Sequence, residues 1–162
     1  MTTYIIYADG SSIIKNKERR GGIGVYIEST GIKISKSYDE ENATNQRMEL
    51  QACLVACRYY IDNLYNLYNS LVIRTDSMYS INCITKWSEC WEKNNWERIV
   101  GNKRFPVLHL DIIKELYDIY KRYDIKFEHI RAHQKEPLKN SKQWILWNGN
   151  NIADKLAKCH KN

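Results

Sequence analysis

The sequence lacks the features that would carry it out of a cell or into a membrane. Its five cysteines, Cys53, Cys57, Cys83, Cys90 and Cys159, are odd in number and never form Cys-x-x-Cys, which argues against a disulfide framework or a zinc knuckle and fits reducing surroundings. Cys53 and Cys57 lie one helical turn apart with no His or second Cys pair nearby, so they read as small core residues. There is no charged-then-apolar leader, and no apolar run approaches the roughly 20 residues that a membrane-spanning helix needs. The expectation is a soluble, unsecreted, intracellular protein with no membrane partner. Internal repeats and low-complexity segments are missing as well.

What is present suits one compact unit. A chain of 162 residues with 43% hydrophobic content is long enough for one real core and too short for two, so a single domain over residues 1–162 is expected, with a monomer as the default. The formal charge of +6, with a pI near 9.0, leans toward polyanionic partners. Interspersed as they are, the 19 acidic and 25 basic residues also describe an ordinary soluble surface.

Along the chain, Thr3 to Ala8, Ile23 to Glu28 and Ile32 to Tyr38 are β-branched or aromatic runs parted by Gly-containing turns, which predicts a three-strand antiparallel meander with its second turn at Ser29-Thr-Gly31. Helical periodicity starts near Thr44, where Leu50, Leu54, Cys57 and Ile61 form one stripe, and a strand follows from Leu71 to Thr75. Ser77 suits the N-cap of a helix through about Thr85. Pro106 can open another helix, with Leu108, Ile112, Leu116 and Ile119 on one face. A strand from Ile125 to Ile130 and a helix from about Asn150 to Cys159 complete a mixed five-stranded α/β sheet flanked by helices.

Three acids stand out in this frame. Asp76 ends the run Leu71-Val-Ile-Arg-Thr-Asp76, Asp9 ends Tyr4-Ile-Ile-Tyr-Ala-Asp9, and Glu49 lies in the opening turns of the first helix. Any one of them alone is more often a turn former, a cap or a helix-dipole partner. Brought together they would repel, and one would take up a proton unless cations neutralised the group. An all-oxygen donor set favours magnesium or manganese over zinc.

The words Asp9-Gly-Ser11, Gly21-Gly-Ile-Gly24, Asn45-Gln-Arg-Met-Glu-Leu50, Thr75-Asp-Ser77 with Tyr79, Ile84-Thr-Lys-Trp87, and His133 followed by Asn150 and Asp154 span nearly the whole chain. In this order they resemble type 1 ribonuclease H, the family that cuts the RNA strand of RNA–DNA hybrids. The resemblance implies that Asp9, Glu49, Asp76 and Asp154 bind two divalent metals, Mg2+ or Mn2+, about 4 Å apart across the scissile phosphate, leaving 5′-phosphate and 3′-hydroxyl ends. It makes His133 a mobile proton carrier or an aid to product release. Gly10, Ser11, Asn16, Thr44, Asn45, Gln46, Ser77, Trp87 and Asn150 become candidate contacts to the hybrid, with the RNA 2′-hydroxyl read by backbone and amide groups rather than acting as nucleophile. Because the chain begins almost at the first strand, the separate hybrid-binding domain that precedes the catalytic domain in some relatives is expected to be absent, so cutting should not be processive and binding should fall steeply with salt.

Several segments carry two readings. Trp87, Trp91 and Trp96, among Lys86, Lys93, Arg98, Lys103 and Arg104, are similar to a basic protrusion that grips DNA, or they form a small satellite core. Cations in Ile13 to Arg20, read as a loop, touch phosphate or are solvated. Gln134 to Gly149, with Trp144 and Trp147, is longer than is usual in the family. Of the functional alternatives, another nuclease of the same wider fold shares the metal logic but not the Arg-Met-Glu-Leu word. A non-catalytic hybrid-binding module gains nothing from clustered acids near phosphate.

Overall fold

The computed structural model describes residues 1–161. The strands β1 (Thr3–Lys15), β2 (Glu18–Ile27) and β3 (Lys33–Tyr38) form the antiparallel meander. β4 (Ser70–Thr75) runs parallel to β1, and β7 (Ile125–His129) runs parallel to β4. The main sheet thus has the order β3-β2-β1-β4-β7. The mixed sheet expected from the strand pattern is present.

Helices cover both faces, as a sheet with two apolar sides requires. α1 (Asn45–Asn63) starts at Thr44, whose hydroxyl accepts the Arg47 amide hydrogen as an N-cap. It buries Leu50, Leu54 and Cys57 of the predicted stripe, together with Met48, Cys53 and Tyr60. α4 (Leu110–Arg122) adds Ile112, Ile113 and Leu116 to the same core. α5 (Lys142–Ala157) lies on the opposite face, above Tyr7 and against β2. Here a glycine alternation does the sorting: a side chain on Gly21 would strike Met48 and Ala43, whereas one on Gly22 or Gly24 would strike the backbone of α5.

Four expectations need correction. β1 does not end at Asp9 but runs on to Lys15, and the supposed loop of Ile13 to Arg20 is the tip of a β1–β2 hairpin. Asn16 and Lys17 form its two-residue turn, both at positive φ (53° and 64°), between the paired Lys15 and Glu18, the backbone that a type I′ turn demands. Ser77 caps α2 (Met78–Asn82) as predicted, but the helical path continues through a π-helical stretch at Cys83–Trp87 into α3 (Ser88–Lys93). The buried Ser88 hydroxyl donates to the Cys83 carbonyl at 2.6 Å there, serving a polar group that the widened turn displaces.

Pro106 opens no helix; it ends β6 (Lys103–Pro106), which pairs with β5 (Glu97–Val100) in a separate hairpin, and α4 begins only at Leu110. The last helix begins at Lys142, eight residues before the predicted Asn150, because Ser141 caps it by accepting the Trp144 amide hydrogen. The long irregular stretch after His133 is correspondingly short.

Candidate active site

Because β1 and β4 are adjacent and parallel, with Tyr7 opposite Arg74 as their last registered pair, Asp9 and Asp76 follow two residues later on neighbouring paths. β1 continues past this point against β2, where Asp9 pairs with Gly24, whereas β4 stops and the chain turns. The Ser77 amide donates to Thr75 Oγ1 at 3.1 Å in that turn. Glu49 arrives from α1. Gly10 lets it in: a side chain there would collide with the Met48 and Glu49 backbone, and the Gly10 amide instead donates to Glu49 Oε2 at 3.1 Å. One carboxylate oxygen from each of Asp9, Glu49 and Asp76 lies within 4.8 Å of the others.

The electrostatics follow from that crowding. Asp9 is only 3% exposed, and its pKa is pushed up from 3.8 to about 8, first by burial and then by the charges of Asp76 and Asp154. Burial and the Asp9 charge hold Glu49 well above the usual carboxylate range. Asp76 is also raised by burial, less so because the Asn150 amide beside it and the nearby His133 favour its charged form. A group of buried and half-buried carboxylate oxygens with no sulfur or nitrogen donor among them, each resisting ionisation, fits a hard divalent cation.

Asp154 comes from α5, whose close approach to β2 depends on Gly22 and Gly24. It stands outside the 4.8 Å trio but close enough to raise the Asp9 pKa, and Lys158, one turn on, holds its Oδ2 at 2.8 Å. Asn150 lies one turn earlier on the helix and is 9% exposed, and its Oδ1 is buried without a partner. Asp76, His133, Gln134, Trp147, Asn150 and Asp154 line a cleft of about 260 Å³. The structure therefore gathers all five residues proposed as catalytic at one end of the sheet.

The candidate hybrid contacts divide. Asn45 and Gln46 are exposed at the start of α1, and Trp87 is 40% exposed beside Tyr79 and Trp91. The Thr44 hydroxyl caps α1, and the Ser77 hydroxyl caps α2 while donating to Ser80 Oγ at 2.9 Å. Ser11 is half-buried in β1. Asn16 sits at the hairpin tip, seven residues along an extended strand from Asp9, or about 23 Å at 3.3 Å per residue. Of the aromatic residues with two readings, Trp91 and Trp96 pack against the main core.

A family model described as RNase H matches residues 1–161. The chain belongs to the RNase H family. It is 35% identical over 146 residues to a probable ribonuclease H of Acanthamoeba polyphaga mimivirus, covering 87% of this chain and 62% of that protein. It is 31% identical over 159 residues to a ribonuclease H of Caldicellulosiruptor saccharolyticus, covering 98% and 95%. The chain thus spans about three-fifths of the viral relative's length. Among solved structures, it is similar to a foamy viral protease–reverse transcriptase in complex with an RNA/DNA hybrid, at 26% identity and a TM-score of 0.68, over 96% of this chain and 19% of that one.

Within this RNase H fold, Trp147, Gln134, Arg131 and Asn151 line the cleft; the sequence places Gln134 and Trp147 only in a long connection and does not mark Arg131 or Asn151. A signal existed: Ser141 followed by Trp144, Trp147, Asn151 and Asp154 at intervals of three or four residues marks one helical face with its cap.

Proposed function

We propose that the chain is an endonuclease that hydrolyses the RNA strand of RNA–DNA hybrids, leaving 5′-phosphate and 3′-hydroxyl ends. The observation that carries this reading is the trio of carboxylate oxygens within 4.8 Å, one from the buried Asp9 and two from the half-buried Glu49 and Asp76, on an RNase H fold. Divalent cations, Mg2+ first and Mn2+ as the substitute, would be held by Asp9, Glu49, Asp76 and Asp154, and when bound would supply an activated water and counter-charge for the leaving oxygen.

The chain's own residues do the positioning. Asp9 is the shared centre, since it adjoins Glu49, Asp76 and Asp154 alike. The Gly10 amide fixes Glu49, the Asn150 amide steadies Asp76, and the Lys158 ammonium orients Asp154. As water oxygen bonds to phosphorus and the bond to the 3′-oxygen breaks, one proton must leave the attacking water and one must reach the 3′-oxygen. The His133 imidazole, at the cleft beside Asp76, is the group placed to carry a proton.

Asn45 and Gln46 at the exposed start of α1, and the partnerless Asn150 Oδ1, supply polar groups for the 2′-hydroxyl that distinguishes RNA. The solved relative bound to an RNA/DNA hybrid supports the substrate class. The test is cleavage of a labelled RNA–DNA hybrid with magnesium, beside single-stranded RNA, duplex RNA and duplex DNA, by wild type and Asp76→Asn. Hybrid-selective cutting abolished by the substitution is expected; a wild type that binds hybrid without cutting it in magnesium or manganese overturns the reading.

A further inference from the structure

His133 sits in the segment joining β7 to α5, where residues 131–136 are all exposed. Its backbone is in the left-handed region, with φ at 55°, a conformation uncommon for a residue with a side chain, although histidine adopts it more readily than most. Such a residue, in an exposed connection, keeps one orientation only if something outside the connection holds the chain. The holders here are two tryptophans of α5. Trp147 Nε1 donates to the carbonyl of Gln134, the residue next to His133, at 3.1 Å. Trp144 Nε1 donates to Glu136 Oε1 at 2.9 Å, three residues beyond it.

The two indoles lie one turn apart on the helical face that also carries Asn151 and Asp154. Trp147 and Asp154 are two turns apart on a single rigid element, so α5 fixes the His133 segment and the fourth carboxylate in one frame. Trp147 reaches the cleft wall itself, alongside His133 and Asp76. Its N–H is already committed to the Gln134 carbonyl, so the indole acts on the site through the backbone it holds.

We infer that Trp147 is a positioning residue for His133, with Trp144 as an outer anchor, so that the proton carrier is held at the cleft by indole-to-loop hydrogen bonds rather than left mobile. This rests on the ribonuclease reading above. In this chain the face of α5 ahead of Asn150 becomes part of the catalytic apparatus without touching substrate.

The experiment compares wild type, Trp147→Phe, His133→Ala and the double variant in steady-state hydrolysis of a labelled RNA–DNA hybrid, with amide hydrogen exchange of residues 131–137 measured on the same proteins without substrate. Trp147→Phe keeps an aromatic ring at the cleft wall and removes only the donor. It should speed exchange in the segment and lower kcat about tenfold with KM within about twofold, the cost of a small misplacement. The double variant should be no slower than His133→Ala alone, because a positioning residue has nothing left to position. Trp144→Phe, farther from the cleft, should show the same signature more weakly and serves if Trp147→Phe does not fold. Additive losses in the double variant, a loss confined to KM, or unchanged exchange would overturn the inference while leaving the nuclease intact. A wild type that does not cut hybrid overturns the ribonuclease reading and this inference with it.

Discussion

Gly10 and Glu49 meet because one has no side chain: the Gly10 amide donates to Glu49 Oε2 at 3.1 Å, at a point where any β-carbon would collide with the backbone of α1 at Met48 and Glu49. The glycine beside Asp9 is thus a packing requirement of the site, whatever else it touches. Gly10→Ala must push α1 away from β1, an overpacking that costs about 1–3 kcal/mol, and must carry Glu49 away from Asp9. The expected outcome is a lower urea midpoint together with weaker Mn2+ binding in calorimetry. Unchanged Mn2+ affinity would show that Glu49 is placed by the rest of α1 alone.

The raised pKa values make the metal-free protein sensitive to alkali. A carboxyl that ionises near its ordinary 3.8 in the unfolded chain and near 8 at Asp9 in the folded one keeps its proton longer when folded. Between those values the folded state binds more protons, and stability falls as pH rises, by up to about 1.4 kcal/mol per pH unit for each such group. Glu49 and Asp76 are shifted in the same direction. In EDTA, the melting temperature should therefore drop from pH 5 to pH 8, and millimolar Mg2+ should restore it. Asp9→Asn should flatten the metal-free profile and raise its value at pH 8 while abolishing cleavage. A profile that rises over this range would mean that the acids are already neutralised by their surroundings.

Much of this arrangement was legible in the sequence, for identifiable reasons. The β-branched runs at Thr3, Ile23 and Leu71 and the stripe from Leu50 to Ile61 carry clear periods of two and 3.6, and those elements stand where the periods place them. The acids were legible because each lies near the boundary of such an element. What escaped was the local turn chemistry. A turn made by Asn16 and Lys17, both at positive φ, lacks the usual glycine, so the long hairpin looked like a loop. The β5–β6 hairpin turns at Gly101 between strands of four residues each, too short to show alternation. Pro106 suits a helix opener as well as the end of an edge strand, and nothing local in the sequence separates the two roles. Trp144 and Trp147 fall in the expected long connection when α5 is placed from Asn150 onward, so the helical face they share with Asn151 and Asp154 does not show.

Asn150 offers a separable test of how the carboxylates are held. Its amide lowers the pKa of Asp76, and its Oδ1 is buried without a partner, a cost to the fold unless something binds there. Asn150→Asp keeps the shape and replaces a donor with a charge that Asp76 opposes. The added carboxylate draws a cation more strongly, so the Mg2+ concentration needed for half-maximal cleavage should fall several-fold, and the pH 8 stability in EDTA should fall as well. Asn150→Ala should lower kcat without the change in metal requirement. Equal metal requirements for Asn150→Asp and wild type would place the added charge outside the field of Asp76.

The protrusion formed by α3 and the β5–β6 hairpin should hold the hybrid by charge rather than by sequence. Two of its acids already face cations, Glu92 with Lys121 at 3.0 Å and Glu89 with Lys93 at 3.5 Å, and Arg98 stacks on Phe105. That leaves the exposed Lys103 and Arg104 of the hairpin, with the exposed Lys86 on the π-helical stretch just before α3, as cations for phosphate. Removing a cation that neutralises one phosphate reduces the slope of log affinity against log salt by about 0.9 on B-form DNA. Replacing all three with glutamine should weaken hybrid binding at low salt, flatten the slope by up to about 2.7, and leave the ratio of hybrid to duplex RNA cleavage unchanged. The measurement is fluorescence anisotropy of a catalytically silent Asp76→Asn background across salt concentrations, paired with cleavage ratios in the active protein. A flattened slope with an altered cleavage ratio would move these cations from grip into substrate discrimination, and an unchanged slope would take the hairpin out of the interface.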